Sequence, residues 1–145
     1  MLGNFSAIDI SASGLAAERL RMEITANNIA NAGTTMTANG EPYRRQAVVF
    51  APALDESQAG GSEHGMRGVK VVGIEGDSTE FPVVYNPGHP HANEDGFVRL
   101  SNASVPDEMV DLITASRSYE ANSRAIGLFK DMVEQTLSLL QGGRS

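Results

Sequence analysis

Two apolar rows with a seven-residue repeat lie at the ends of the chain and constrain its fold more than any other feature. The first row consists of Ile8, Leu15, Met22 and Ile29. The second row consists of Val105, Leu112, Tyr119, Ile126, Val133 and Leu140. Because a seven-residue repeat places side chains along one narrow seam of an α-helix, these rows predict two long helices, over residues 5–31 and 105–141.

Local signals at the helix ends support both predictions. Ser6 and Asp9 have the spacing of a capping box, so we expect the first helix to open there, and Gly33 suits its end. Pro106, followed by two acidic residues, suits the first turn of the second helix. Two glycines, at 142 and 143, are suited to end it.

The middle of the chain is typical of short strands separated by Gly, Pro, Asn and Asp. We predict strands over residues 46–50, 69–74, 81–85 and 96–100. Residues 52–68 are rich in glycine and acidic residues and are predicted to form a mobile loop, either functional or disordered.

The predicted fold class is therefore α+β, with the terminal helices paired as an antiparallel coiled coil or bundle. We divide the chain into an N-terminal assembly helix (1–33), a β-rich outer domain (34–103) and a C-terminal assembly helix (104–145).

The predicted helices are too long to be covered by the rest of the chain. A compact domain of 145 residues has a diameter of about 38 Å, whereas the helices would measure about 40 Å and 54 Å. We therefore expect each seam to be buried by the other terminal helix and by neighbouring molecules. Our hypothesis is that both ends are frayed in the isolated monomer and fold on assembly.

Charge and composition exclude several classes of partner. The net charge is −7, and none of the three regions has the basic surplus that binds phosphates, so we expect no nucleic-acid partner. There is no cysteine, which excludes disulfides and thiolate ligands. The N-terminus lacks the basic and apolar regions of a cleaved signal peptide. A membrane-spanning segment at either end would place arginines in the hydrocarbon, Arg19 and Arg21 or Arg117 and Arg124, so we expect no direct membrane insertion.

The search for reactive groups favours a protein without catalytic residues, metal or cofactor. His89 and His91 flank a proline near Glu94 and Asp95, but no third ligand has a helical or strand spacing. No nucleophile motif or phosphate-binding loop is found. A pair of carboxylates for glycoside hydrolysis stays open, because acids of the middle region could converge.

Three asparagines, Asn27, Asn28 and Asn31, lie near the end of the first predicted helix, where asparagine is a poor interior residue. Their side chains could bond to the backbone as the chain leaves the helix, or to another subunit. The alternative is that the helix simply frays at this end.

Several segments together resemble the bacterial flagellar rod and hook family. They are Ala26–Ala32 (ANNIANA), Pro42–Arg45 (PYRR) and Ser116–Asn122 (SRSYEAN). The segments Tyr85–Val98 (YNPGHPHANEDGFV) and Pro106–Asp111 (PDEMVD) resemble the proximal-rod members of that family in particular. The likeness covers both ends of the chain and part of the middle.

The resemblance implies a structural subunit of the basal-body rod, which crosses the periplasm, transmits torque and forms part of an export conduit. Its terminal helices would line a helical tube, and its β region would lie outside. The implied partners are copies of itself, other flagellar rod subunits, and the flagellar type III export apparatus with its chaperones. Export from the cytoplasm would then occur without a cleaved signal peptide.

By the same resemblance, Asn27, Asn28, Asn31, Tyr119 and Asn122 occupy family motif positions and are expected at subunit contacts. Gly33 departs from the family, which more often has Asn there.

Two alternatives stay open at this point. One is a cell-wall hydrolase that uses Asp77, Glu80, Glu94 or Asp95. The other is a stand-alone coiled-coil adaptor, which would form a discrete dimer or trimer.

Overall fold

A computed structural model describes residues 2–54 and 66–142 of the chain. Along the sequence of these residues, two long helices flank four strands. The order is α1 (Leu2–Asn31), β1 (Gln46–Leu54), β2 (Met66–Gly76), β3 (Val83–Tyr85), β4 (Phe97–Arg99) and α2 (Val105–Gly142). The predicted α+β class, with long terminal helices and a small β middle, is confirmed.

The predicted start of α1 is wrong. The helix begins at Leu2, so Ser6 and Asp9 lie inside it, and their spacing does not mark a cap. A Ser-x-x-Asp spacing also arises within a helix, where residues three apart share a face. The end of α1 at Asn31 agrees with the prediction, and Thr34 N then donates to Asn31 O at 2.9 Å as the chain turns away.

The bounds of α2, Val105–Gly142, match the prediction to within one residue. Its first turn is closed by a 2.9 Å hydrogen bond from Glu108 N to Ser104 O. Pro106 fits here because the first amides of a helix have no partner inside it. Asp107 and Glu108 place negative charge at the positive end of the helix dipole.

The four strands form two separate two-stranded sheets, β1 with β2 and β3 with β4. Both β1 and β2 are longer than predicted: β1 extends to Leu54 and β2 begins at Met66. Both ends of the predicted loop 52–68 therefore belong to strands. Pro52 is tolerated in β1 because β1 is an edge strand of a two-stranded sheet. The rest of that predicted loop, residues 55–65, lies outside the described residues.

The described residues divide into two compact units. Unit one comprises residues within 1–19, 50–71 and 116–145, and unit two comprises 20–49 and 72–115. Each unit includes parts of α1, of α2 and of the strands, whereas the predicted three-part division follows the order of the chain.

The apolar core of unit two is small but well defined. It contains Ile24, Phe81, Val98, Ala103 and Ala115, all buried. The guanidinium carbon of Arg44 lies 4.3 Å from the centre of the Phe81 ring, and that of Arg99 lies 5.0 Å from it. Cation–π contacts of this kind stabilise an aromatic ring at the edge of a core.

The β3–β4 hairpin is antiparallel, with Val84 opposite Val98 and Tyr85 opposite Phe97. Val98 points inward and is 2% exposed, whereas Tyr85 and Phe97 are exposed with ring centres 5.3 Å apart. Gly96 adopts a φ of 80°, and a Cβ there would lie 2.9 Å from Tyr85 Cε2. Glycine is therefore required at position 96.

Neither α1 nor α2, over their described residues, is apolar enough along its length to span a lipid bilayer.

Candidate assembly site

In unit two, α1, the segment before β1 and the start of α2 meet at a group of polar side chains, of which Asn28 and Glu108 are buried. We call this group the polar cluster; its members are Asn28, Tyr43, Arg45, Asp77, Glu108 and Asp111. All six residues belong to unit two.

Asn28 lies at the centre of the polar cluster and is 1% exposed. Its Nδ2 donates to Gln46 O and to Glu108 Oε2, each at 2.8 Å. Its Oδ1 accepts from Gln46 N at 3.0 Å and from the Tyr43 hydroxyl at 2.9 Å. The side-chain amide therefore makes all four of the hydrogen bonds available to two donor hydrogens and two acceptor lone pairs. Two of these bonds pair it with the backbone at the first residue of β1.

Glu108 is also 1% exposed, which is unusual for a carboxylate. Both of its oxygens are bonded: Oε2 accepts from Asn28 at 2.8 Å, and Oε1 accepts from Arg45 Nε. Such a buried charge persists because it is both paired and hydrogen-bonded. Its position at the start of α2 adds stabilisation from the helix dipole.

Arg45 connects Glu108 to two further carboxylates. Its Nη2 donates to Asp111 Oδ2 at 2.9 Å, and its Nη1 lies 3.6 Å from Asp77 Oδ2. The hydrogen bond to Glu108 raises the pKa of Arg45 above its ordinary value, so the group stays charged. The Arg45 backbone amide donates to Asn102 Oδ1 at 2.7 Å, which fixes the chain just before β1.

Two other members of the polar cluster have shifted pKa values. Burial, with a smaller effect of the Glu108 charge, raises the pKa of Tyr43 and favours its neutral phenol, the form that donates to Asn28. Hydrogen bonds from the hydroxyl and the backbone amide of Thr79 hold the pKa of Asp77 below its ordinary value, and Arg45 and Arg44 act in the same direction. Both shifts favour the protonation states in which these bonds form.

In unit one, α1 and α2 approach closely at a small residue. A Cβ at Gly14 would lie 2.8 Å from Asn122 Nδ2, so the absence of a side chain lets the Asn122 amide lie against the α1 backbone. Ser13 Oγ joins α1 to β2, because it accepts from Val69 N at 3.1 Å.

The residues of the predicted seam are partly covered in the described chain. Leu15, Met22 and Ile29 of α1 are half-buried, as is Ile8. In α2, Leu112, Ile126 and Val133 are half-buried, whereas Tyr119 is 36% exposed and Leu140 is 63% exposed. Neither row is fully covered by the described residues of its own chain, and its role at subunit contacts stays a prediction.

In the described helices, the buried residues lie outside the two predicted apolar rows. Ser11 and Thr25 are buried, while their neighbours Ala12 and Ala26 are exposed. Glu108 is buried in the same way, while Met109 is 53% exposed. Most of the buried residues of the described helices are therefore small or polar, with Ile24 as the large apolar exception.

Of the motif residues, the structure buries Asn28 and leaves its neighbour Asn27 exposed. Asn31 Nδ2 donates to Asn27 O at 3.0 Å, a side-chain bond to the backbone at the end of α1. Asn122 is half-buried beside Gly14. The structure thus gives Asn28, Asn31 and Asn122 contacts within the chain, and contacts with other subunits stay a prediction.

The two histidines considered for metal binding have hydrogen-bond partners within the chain. His91 Nδ1 lies 2.8 Å from Thr35 Oγ1, and His91 N donates to His89 Nδ1 at 3.1 Å. Among the described residues, no three His, Asp or Glu side chains are grouped to hold a metal ion. Glu80, Glu94 and Asp95 are exposed, and the lowered pKa of Asp77 does not suit a general acid.

Sequence reasoning missed the roles of Tyr43, Arg45 and Glu108. Each lies in a segment that resembles the rod and hook family, and that resemblance was the available signal. In the sequence alone, Glu108 is indistinguishable from Asp107 as an acid in the first turn of a helix.

Comparison with known proteins places both ends of the chain among rod proteins. Residues 8–35 match the family described as "Flagella basal body rod protein". Residues 94–139 match the family described as "Flagellar basal body rod FlgEFG protein C-terminal".

Curated relatives named flagellar basal-body rod protein FlgC extend the similarity over nearly the whole chain. The Borreliella burgdorferi protein is 41% identical, covering 97% of this chain and 100% of the relative. The Bacillus subtilis protein is 40% identical, covering 93% and 97%. The Salmonella typhimurium protein is 39% identical, covering 92% and 95%.

Proposed function

This chain belongs to the FlgC family of flagellar basal-body rod proteins, and we propose that it polymerises through its terminal helices into a tubular drive shaft that also serves as an export conduit. It is a structural subunit of the rod and not an enzyme, and it assembles with other rod components of the flagellar basal body. The further proposal concerns which surfaces carry that assembly.

One observation carries the proposal: large apolar side chains of α2 face solvent in the described chain. In unit one, Leu128 is 70% exposed, Leu139 is 77% exposed and Leu140 is 63% exposed. Fully burying such a side chain stabilises by about 1.5–3 kcal/mol. Neighbouring subunits that cover these side chains would therefore gain about 3–6 kcal/mol per subunit.

The half-buried seam residues support the same proposal. Leu15 and Ile126 have part of their surface covered within the chain and part exposed. In a bundle of several subunits that remaining surface would be covered, because each added helix packs into the grooves beside the pair. The exposed α2 face and the partly exposed seam would then be buried together.

Charge substitutions in the seam test the proposal. In the native strain, Leu15→Asp or Ile126→Asp should abolish rod incorporation and motility while the protein is still expressed, because a carboxylate would be buried without a partner. A matched control places the same acid at an exposed position outside the predicted rows, Ala16→Asp in α1. Motility of either seam variant would refute the seam assignment.

We further propose that the chain leaves the cytoplasm through the flagellar type III export apparatus, with its chaperones, and that the rod it joins crosses the periplasm. The support is the resemblance of its terminal segments to exported rod and hook proteins. A tagged copy recovered from the periplasm or medium should keep its N-terminal residues by mass spectrometry, and it should disappear when the export ATPase is deleted. A shortened N-terminus, or secretion without that apparatus, would contradict this route.

A further inference from the structure

The two units differ in how many side chains they bury and in how fully the buried polar groups are hydrogen-bonded. In unit two, Asn28 and Glu108 are each 1% exposed, and every polar atom of both side chains is hydrogen-bonded. Unit two also buries Ile24, Phe81 and Val98. In the described part of unit one, the buried side chains are Ser11 and Ala17.

A fully satisfied buried polar network favours one arrangement over its alternatives. If α1 shifted by one heptad, Arg21 would take the place of Asn28. Arginine has donors alone, so the Gln46 amide and the Tyr43 hydroxyl would lose their acceptor. The Asn28–Glu108 contact therefore fixes the register of the two helix segments inside unit two, as a buried polar residue does in a coiled coil.

We infer that the polar cluster makes unit two, residues 20–49 and 72–115, a folded body in the unassembled subunit, with the end of α1 and the start of α2 already in register. The terminal segments are thus not uniformly frayed before assembly. The ordered parts are 20–31 and 105–115, and the remaining helix segments gain their order when neighbours cover them. Asn28 acts as a positioning residue that holds α1, β1 and α2 together.

Hydrogen exchange measured by mass spectrometry on the full-length, unassembled chain tests this inference. The chain should first be shown to be monomeric by light scattering. Amides within 20–31 and 105–115 should exchange at least about tenfold more slowly than those within 7–19 and 116–141. Equal exchange along both helices, whether slow or fast, would overturn the inference.

Variants at adjacent asparagines assign the effect to the polar cluster. Asn28→Ala removes the partner of Glu108 Oε2, of the Tyr43 hydroxyl and of the Gln46 backbone, and it should accelerate exchange in 20–31 and 105–115 by at least about tenfold. Asn27→Ala, at an exposed neighbouring position, should leave the exchange rate in these two segments within about twofold of the wild type. Similar exchange in the two variants would contradict the positioning role.

A milder variant covers the case in which Asn28→Ala does not fold. Tyr43→Phe removes the single 2.9 Å bond to Asn28 Oδ1 and should accelerate exchange in the same two segments to a smaller extent. An unchanged pattern in Tyr43→Phe would count against the inference. Because these measurements use the unassembled chain, their failure is distinguishable from failure of the seam substitutions, which are scored by incorporation and motility.

Discussion

Asn28 Nδ2 lies 2.8 Å from Glu108 Oε2, which joins two side chains that are 80 positions apart in the chain and almost wholly buried. This bond connects the end of α1 to the start of α2. Through the other bonds of Asn28 it also includes the backbone at Gln46, where β1 begins. Three elements distant in sequence therefore depend on one side-chain amide.

A polar contact at this place serves specificity more than stability. Removing one partner of a buried hydrogen bond leaves the other unsatisfied and costs about 1–3 kcal/mol, although the net contribution of an intact bond is only about 0.5–1.5 kcal/mol. Apolar seams alone permit slipped pairings, because each heptad resembles the next. In unit two, the polar cluster disfavours such slipped pairings. The exposed apolar side chains of α2 are not part of the polar cluster, so neighbouring subunits could cover them.

Tyr43→Phe should change how stability depends on alkaline pH. The pKa of Tyr43 is raised in the folded state, so its contribution is fully present below the unfolded pKa near 10 and is lost as pH rises through the folded pKa. Thermal unfolding between pH 8 and 11 should show the wild type losing stability relative to Tyr43→Phe as pH rises. At pH 8 the variant should be less stable by about 1 kcal/mol, since it lacks the bond to Asn28.

The exposed Tyr85 supplies the control for that comparison. Tyr85→Phe removes a hydroxyl at a position that is 65% exposed and should leave the stability at pH 8 within about 0.5 kcal/mol of the wild type. A wild-type advantage over Tyr43→Phe that is constant from pH 8 to pH 11 would contradict the buried, neutral state of Tyr43.

Gly96→Ala should destabilise the subunit by about 1–3 kcal/mol, because residue 96 has a φ of 80° and an added Cβ would lie 2.9 Å from Tyr85 Cε2. Urea unfolding followed by circular dichroism measures the change. Gly88→Ala is the matched control in the same β3–β4 connection, since a Cβ there would come no closer than 3.9 Å to Asn86 Oδ1. Equal unfolding midpoints for the two variants would show that the turn does not require glycine at 96.

The helices were predictable from sequence because a seven-residue repeat is a property of local spacing. The repeat at Leu15, Met22 and Ile29 identifies α1, and α2 was found to within one residue. The start of α1 was wrong because the Ser6–Asp9 spacing is equally compatible with a helix interior. The predicted lengths of β1 and β2 were too short because Pro52 and Gly68 suggest a loop, although both residues lie within strands.

The polar cluster could not be predicted, because it depends on contacts between distant segments. Asn27 and Asn28 are adjacent and chemically identical, yet α1 turns one outward and buries the other. Glu108 lies beside Asp107, and packing against Arg45 and Asn28 decides which acid is buried. A seven-residue repeat shows how residues are spaced along one side of a helix. It does not show how the helix is rotated against the rest of the chain, so one sequence does not specify that Ser11 is buried and Ala12 exposed.

The central claim is that neighbouring subunits cover the exposed apolar face of α2, and the reactivity of a thiol at Leu128 tests it most directly. The chain has no cysteine, so Leu128→Cys introduces a single thiol at a position that is 70% exposed. Maleimide labelling should be fast in the unassembled chain and at least about tenfold slower in purified basal bodies, with denatured basal bodies giving the total thiol. Equally fast labelling in the assembled rod would contradict the account.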